Sequence, residues 1–251
     1  MSDTHLYILT GASRGMGLAM ARQLLAPQHT LLCLSRQVNE ALAAEAAQRG
    51  CALEQWTQDL AQGVEAAGRL RAWLARPGRR HASATLINNA GVIPAIAPLS
   101  DIAPEELARA LRVDLEAPMA LTAAFLGATD GWAAPRKVLN ISSGLGRRPM
   151  ASQAAYCAAK AGMDLYTRCV ALEEAGKPHG ARVCSLAPGV IDTDMQVQLR
   201  GADAAAFPDR ARFEQLKRGG QLDSPETAAR KVLAYLARED FGAEPVADVR
   251  G

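Results

Sequence analysis

Tyr156 and Lys160, in the run "YCAAK", stand four residues apart, which on a helix puts both side chains on one face a turn apart. A free phenol, with a pKa of about 10, is a poor acid or base near neutrality. A fixed ammonium favours its ionised form: at about 5 Å and an effective dielectric of about 20, one unit charge supplies roughly 3 kcal/mol, or about 2 pKa units. The spacing therefore describes a proton-transfer group brought close to working range. Far upstream, "TGASRGMG" (Thr10 to Gly17) gathers three glycines between the apolar run Leu6 to Leu9 and a helix-like run from Leu18. Glycine is kept where φ must be positive or where something must approach the main chain. At a helix start, free backbone N–H groups and the helix dipole would hold a phosphate. A tight strand-to-helix turn is the plainer alternative.

The elements that must position these groups alternate along the chain. Strand-like runs are Leu6 to Leu9, Thr30 to Leu34, Cys51 to Trp56, Thr85 to Asn88, Val138 to Ser142, Arg182 to Leu186 and a short Val246 to Val249. Between them lie helical patterns at Gly15 to Ala26, Val38 to Arg49, Leu60 to Arg76, Pro104 to Leu126 and Gln153 to Glu174. A long irregular stretch, Gly189 to Gly220, precedes a last helix opened by "DSPET", with Ser224 suited to the N-cap and Pro225 to the first turn. Strands alternating with helices imply β-α-β units with right-handed crossovers. The expected fold is α/β: one doubly wound, Rossmann-type domain over residues 1–251, its mostly parallel sheet covered by helices on both faces. Ligands then bind at the carboxyl ends of the strands, where the glycine run falls.

Composition narrows the function classes. Net charge is +2, and the short basic run Arg76 to His81 carries loop residues, so it reads as a solvated connector and no nucleic-acid partner is expected. Five cysteines, widely spread and without a C-x-x-C pair, read as free thiols of a cytoplasmic protein without a secretory leader. No apolar run approaches the roughly 20 residues that span a bilayer. No metal site is expected.

"TGASRGMG", the pair Asp59 and Leu60, "NNAG" (Asn88 to Gly91), "NISS" ending at Ser143, "YCAAK" and "PGVIDT" (Pro188 to Thr193) fall in one order across nearly the whole chain. Together they resemble the compact short-chain dehydrogenase/reductase family. The resemblance implies a nicotinamide-dependent oxidoreductase. It puts Gly11, Ser13, Arg14, Gly15, Met16 and Gly17 around the cofactor diphosphate and Asp59 with Leu60 beside the adenine. Asn88, Ala90 and Gly91 close the fourth strand, and Pro188, Gly189, Val190 and Thr193 lie near the nicotinamide. Tyr156 is implied to give a proton to the carbonyl oxygen as hydride arrives, or to take one in reverse. Lys160 lowers its pKa and holds the nicotinamide ribose, and Ser143 hydrogen-bonds the substrate oxygen. Two plainer readings stand beside these: Asp59 could cap the next helix, and "NNAG" could merely end a strand.

The segment "LCLSR" decides the expected cofactor. NAD enzymes usually place a carboxylate at the end of the second strand, whereas here Ser35 and Arg36 stand there. A carboxylate would repel a 2′ phosphate, whereas a guanidinium binds it with paired charge-assisted hydrogen bonds. Arg14 adds positive charge, as in NADP-preferring relatives. NADP(H) is the expected cofactor, with both arginines as solvated surface residues the alternative.

One position departs from the family pattern: "VDL" places Asp114 where relatives usually have the asparagine of "VNL", an amide that helps a water link the lysine to solvent. An ionised carboxylate accepts but cannot donate, so either the relay changes or Asp114 merely occupies a helix irregularity. "DTDMQVQLR", "APMALT" and the stretch around Phe213 resemble sepiapterin reductases and bacterial benzil reductases more than acyl-carrier-protein reductases. That implies a small ketone or dicarbonyl substrate. Met195 and Asp248 are candidate substrate contacts, the latter equally readable as a surface carboxylate. Arg147 and Arg148 either border the pocket or sit solvated in a loop, and Cys157 reads as packing. About residues 190–220 could form a substrate lid. The family resemblance implies a homodimer or homotetramer paired through the long helices. An NADP-binding sensor without turnover and an oxidative alcohol dehydrogenase remain the alternatives.

Overall fold

The computed structural model describes residues 4–76 and 81–250. Seven strands form one sheet in the order β3-β2-β1-β4-β5-β6-β7, with every neighbouring pair parallel. They are β1 (His5–Thr10), β2 (His29–Ser35), β3 (Ala52–Thr57), β4 (Ser83–Asn88), β5 (Arg136–Ile141), β6 (Arg182–Ala187) and β7 (Val246–Asp248). The helices are α1 (Gly15–Gln23), α2 (Glu40–Gln48), α3 (Gly63–Leu74), α4 (Pro104–Leu111), α5 (Ala117–Ala128), α6 (Ala154–Ala175), α7 (Asp194–Arg200), α8 (Arg210–Arg218) and α9 (Pro225–Ala237). The expected doubly wound α/β fold is the fold observed.

Alternation along the strands splits the core in two. On β1, Leu6 and Ile8 pack with Leu70 and Trp73 of α3 and Leu121 and Phe125 of α5, while Leu9 joins α1 and α9 on the opposite face. Strand order reverses between β1 and β4, so their carboxyl ends leave a crevice between them. Thr10 ties that crevice together: its Oγ1 accepts the backbone N–H groups of Asn89 (2.9 Å) and Ala90 (3.0 Å).

Two segments differ from the sequence reading. The long helix expected from Pro104 to Leu126 is interrupted by a π-helical turn, Arg112–Glu116. Pro118 has no N–H to offer the carbonyl of Asp114 four residues back, which favours a break there. The stretch expected to be irregular, Gly189 to Gly220, contains α7 and α8, joined over a small apolar cluster of Leu199, Phe207 and Phe213. The last helix begins as expected, with the Ser224 hydroxyl accepting from the Thr227 N–H at 3.1 Å. Of the basic run, Pro77 to Arg80 lie outside the described residues. No described helix is long and apolar enough to cross a membrane.

Candidate active site

A cleft of about 710 Å³ opens at the carboxyl ends of the strands, within the size range of small-molecule sites. One end is built by the glycine loop between β1 and α1. Gly11 holds φ +71°, and a Cβ there would stand 2.9 Å from Ala90 Cα; on Gly17 a Cβ would fall 2.0 Å from the Gly11 carbonyl oxygen. The loop is thus pressed against the turn after β4. Arg14 occupies the N-cap of α1 with no side-chain cap, leaving the first-turn N–H groups beside the cleft without a side-chain acceptor.

The walls contain most of the residues singled out in the sequence: Gly11, Ser13 to Gly17, Ser35, Arg36, Asp59, Leu60, Ala90, Gly91, Ser143, Tyr156, Lys160, Pro188 to Val190, Thr193 and Met195. The plainer reading of Asp59, as a cap, is the one observed. Asp59 lies on the wall and also accepts the Ala61 N–H at 3.0 Å as N-cap of the short turn Leu60–Gln62. That bond, with Arg109 at 3.3 Å, holds its carboxyl below the usual range. Arg14 pairs with Asp194 at 2.6 Å, whereas Arg36 has no ion-pair partner within 4 Å among the described residues.

Three expected residues sit off the wall. Asn88 is buried, and its amide donates to Asn140 Oδ1 (2.8 Å) and Thr122 Oγ1 (3.1 Å), bracing β4 against β5 and α5; its neighbour Asn89 is the wall residue. Side chains alternate along a strand, so the last strand residue points into a face and the next is free to turn outward. Asp248 is held by Arg250 through Nε (2.8 Å) and Nη2 (2.6 Å), and Arg250 is the one on the wall. Asp114 lies behind Gly91, whose Cβ, were there one, would be 3.6 Å from Asp114 Oδ1 and 3.8 Å from Lys160 Nζ. It is therefore both on a helix irregularity and beside the lysine.

The other end of the cleft concentrates buried ionisable groups. Lys160, 3% exposed, donates to the Ile141 carbonyl at 3.0 Å, with Nζ 5.6 Å from the Tyr156 ring centroid. Burial pulls its pKa down, opposed by Asp114 and Asp164. The Tyr156 phenol is raised, first by burial and then by the charge of Asp114, while a hydrogen bond with Ser143 lowers it. Burial is the largest of these effects, and Lys160 is not among the groups that shift the phenol. The phenol stays protonated, the state from which a proton can be given. Asp114, 1% exposed, accepts the Val92 N–H on Oδ1 at 2.8 Å and leaves Oδ2 without a hydrogen bond. Burial pushes its pKa up to about 6 against the pull of Lys160 and of the Val92 N–H.

Asp164 was not foreseen. It accepts from Ser142 Oγ and Ser185 Oγ, both at 2.6 Å, and from Arg147 Nε at 3.1 Å, fixing the end of β5 to β6 and α6. Arg147 is therefore tied down, though still partly exposed, and stays off the wall, whereas Arg148 lines the cleft. Asn89 was legible from "NNAG"; Arg250, in the carboxyl-terminal tail, carried no signal.

The family model described as short chain dehydrogenase matches residues 5–204. The chain is a short-chain dehydrogenase/reductase. Over 235 residues it is 35% identical to a benzil reductase ((S)-benzoin forming) of Bacillus cereus, spanning 93% of this chain and 94% of that protein. Over 250 residues it is 35% identical to a sepiapterin reductase of Meriones unguiculatus, spanning 93% and 92%. Among solved structures, a 3-oxoacyl-[acyl-carrier protein] reductase from Brucella melitensis in complex with NAD matches with a TM-score of 0.81 at 25% identity, covering 99% of this chain and 96% of that one. The family resemblance read from the six motifs holds, and this short-chain dehydrogenase/reductase is an oxidoreductase of a family that uses NAD or NADP on small molecules.

Proposed function

We propose that this enzyme reduces a ketone or dicarbonyl, of the kind presented by benzil or the sepiapterin side chain, to an alcohol with NADPH, and that Tyr156 is the general acid. One observation carries the reading: a buried, protonated phenol, bonded to Ser143, lines the same cleft as an uncapped helix start and a glycine loop too tight for side chains. The N–H groups of Gly15, Met16 and Gly17 suit a diphosphate, Asp59 and Leu60 flank the adenine position, and Val190 with Thr193 border the nicotinamide position. Arg36, exposed beside Ser35 and free of ion pairs among the described residues, suits a 2′ phosphate. Bound there, the dinucleotide supplies hydride.

Ser143 and Tyr156 orient the carbonyl oxygen between them, and the phenol passes its proton to that oxygen as negative charge develops. Lys160, which donates to Ile141 and stands beside the Tyr156 ring, would hold a ribose hydroxyl of the bound dinucleotide and supply positive charge behind the phenol. General acid catalysis of this kind is worth about 10² to 10⁴ in rate. The helices α7 and α8, which carry Met195 and Phe213 to the cleft, act as the substrate lid. Exposed Leu111, Met119, Leu165 and Leu172 on α4, α5 and α6 support a homodimer or homotetramer, which light scattering would read as two or four chain masses.

Purified enzyme is expected to consume NADPH when offered benzil. Tyr156→Phe should still bind NADPH in a fluorescence titration while its turnover drops by at least about 10². Turnover close to that of the parent enzyme would remove Tyr156 from the role.

A further inference from the structure

We propose that Arg148 forms an anion-binding subsite, and that this reductase therefore favours carbonyl substrates carrying a carboxylate or a similar anion. The inference rests on the reading above for the reaction, but its own basis is the charge arrangement of the cleft. Among the described residues, three carboxylates line the wall, and each is matched: Asp59 by Arg109, Asp194 by Arg14, and Asp192 by Arg200 and Lys217. Arg250 is neutralised from behind by Asp248. Two wall arginines have no carboxylate within 4 Å among the described residues: Arg36 at the β2 end and Arg148 at the catalytic end.

The placement of Arg148 is specific. It follows Arg147, whose guanidinium is fixed to Asp164 and to the Ala247 carbonyl at 2.7 Å, so the backbone that carries Arg148 is anchored from its neighbour. Its Nε stands 3.9 Å from where a Cβ on Gly144 would be, so the side chain runs over the turn that begins at Ser143. Leu145 and Met150 share that part of the wall. A guanidinium beside apolar surface, one turn from the hydroxyl assigned to the substrate oxygen, offers paired hydrogen bonds to a planar anion and little to a neutral group. Each end of the cleft thus carries an arginine without a carboxylate partner among the described residues.

The test compares benzil bearing a para-carboxylate with the methyl ester of the same compound, a neutral control of similar size. With NADPH, kcat/KM for the carboxylate should exceed that for the ester by about tenfold or more. In Arg148→Gln the ratio should fall to about one, and Arg148→Lys should keep part of it. Because the ratio is taken within each variant, any general effect of the substitution cancels. Added salt should shrink the parent ratio. A parent ratio near one, or a ratio unchanged in Arg148→Gln, would overturn the subsite. Calorimetric affinities of the two compounds for enzyme loaded with oxidised NADP read the same ratio without turnover. A preserved affinity ratio with no NADPH oxidation would therefore indict the proposed reaction and leave the subsite standing.

Discussion

The two ends of the cleft handle charge in opposite ways. At the glycine-loop end the charged side chains stand in water: Arg14 is 68% exposed and its partner Asp194 75%, and Arg109 with Asp59 are 45% and 37%. At the other end Tyr156, Lys160 and Asp114 are 9%, 3% and 1% exposed. Solvent and salt screen the first set, so its ion pairs form and break at small energetic cost. Burial dominates the second set and moves protonation equilibria instead. The two sets thus differ in depth within one crevice.

The sharpest break of that contrast is Asp114→Asn, which removes the deepest charge. Its carboxyl pKa is raised in the fold to about 6 from 3.8, so between those values the folded protein holds a proton that the unfolded chain has released. Stability then falls as pH rises through that window and is flat above it. Relative to Asp114→Asn, the parent should lose about 3 kcal/mol between pH ~4 and ~6.5 in urea titrations, following the 1.36 kcal/mol per pKa unit. Equal slopes for the two proteins would sink the assignment. The same charge raises the Tyr156 pKa, so its protonation strengthens the phenol as an acid. The parent kcat for reduction should rise as pH drops through about 6, and the variant should lack that step.

An intermediate effect is expected at the exposed end. Arg36→Asp places a carboxylate where a 2′ phosphate would sit, and should reverse the NADPH preference, shifting the NADPH-to-NADH ratio of kcat/KM by about tenfold or more. An unchanged ratio would return Arg36 to the status of a solvated surface residue. No change in the pH step near 6 should accompany it, since Arg36 is not among the groups acting on Tyr156 or Lys160.

What was legible in the chain follows the same division between local and long-range physics. The strands, the glycine loop and the Tyr156–Lys160 pair depend on short periodicities and on residue types with few uses, and the structure places them as read. Asp164 gives no local signal: its partners Ser142, Ser185 and Arg147 converge only after β5, β6 and α6 pack. The helices α7 and α8 were missed because Phe207 and Phe213 become a core only against Ile93 and Met150, distant in sequence. The π-helical turn at Asp114 had a local cause in Pro118, but the apolar periodicity around it reads as one unbroken helix. The upward push of burial on the phenol was not legible for a related reason: charge separation can be guessed from spacing, whereas burial belongs to the whole fold.

The smallest expected effect lies in the pair between Arg14 and Asp194, which joins the glycine loop to α7. Both side chains are more than two-thirds exposed, so the pair itself adds little to stability, and Asp194→Ala should move Tm by no more than about 3 °C. Its influence should appear in binding instead. As long as Asp194 stands at 2.6 Å, Arg14 offers a phosphate only part of its charge, and a bound anion must compete with the carboxylate. Removing Asp194 frees the guanidinium and lifts a negative charge from the mouth of the cleft, so the Kd for NADPH should fall by about two- to threefold, and the gain should fade with added salt. Arg14→Gln should weaken binding and abolish the benefit of Asp194→Ala when the two are combined. Additive effects in that double variant would mean the carboxylate acts on the anion without passing through Arg14, and the exposed end would then be a diffuse field rather than a set of named contacts.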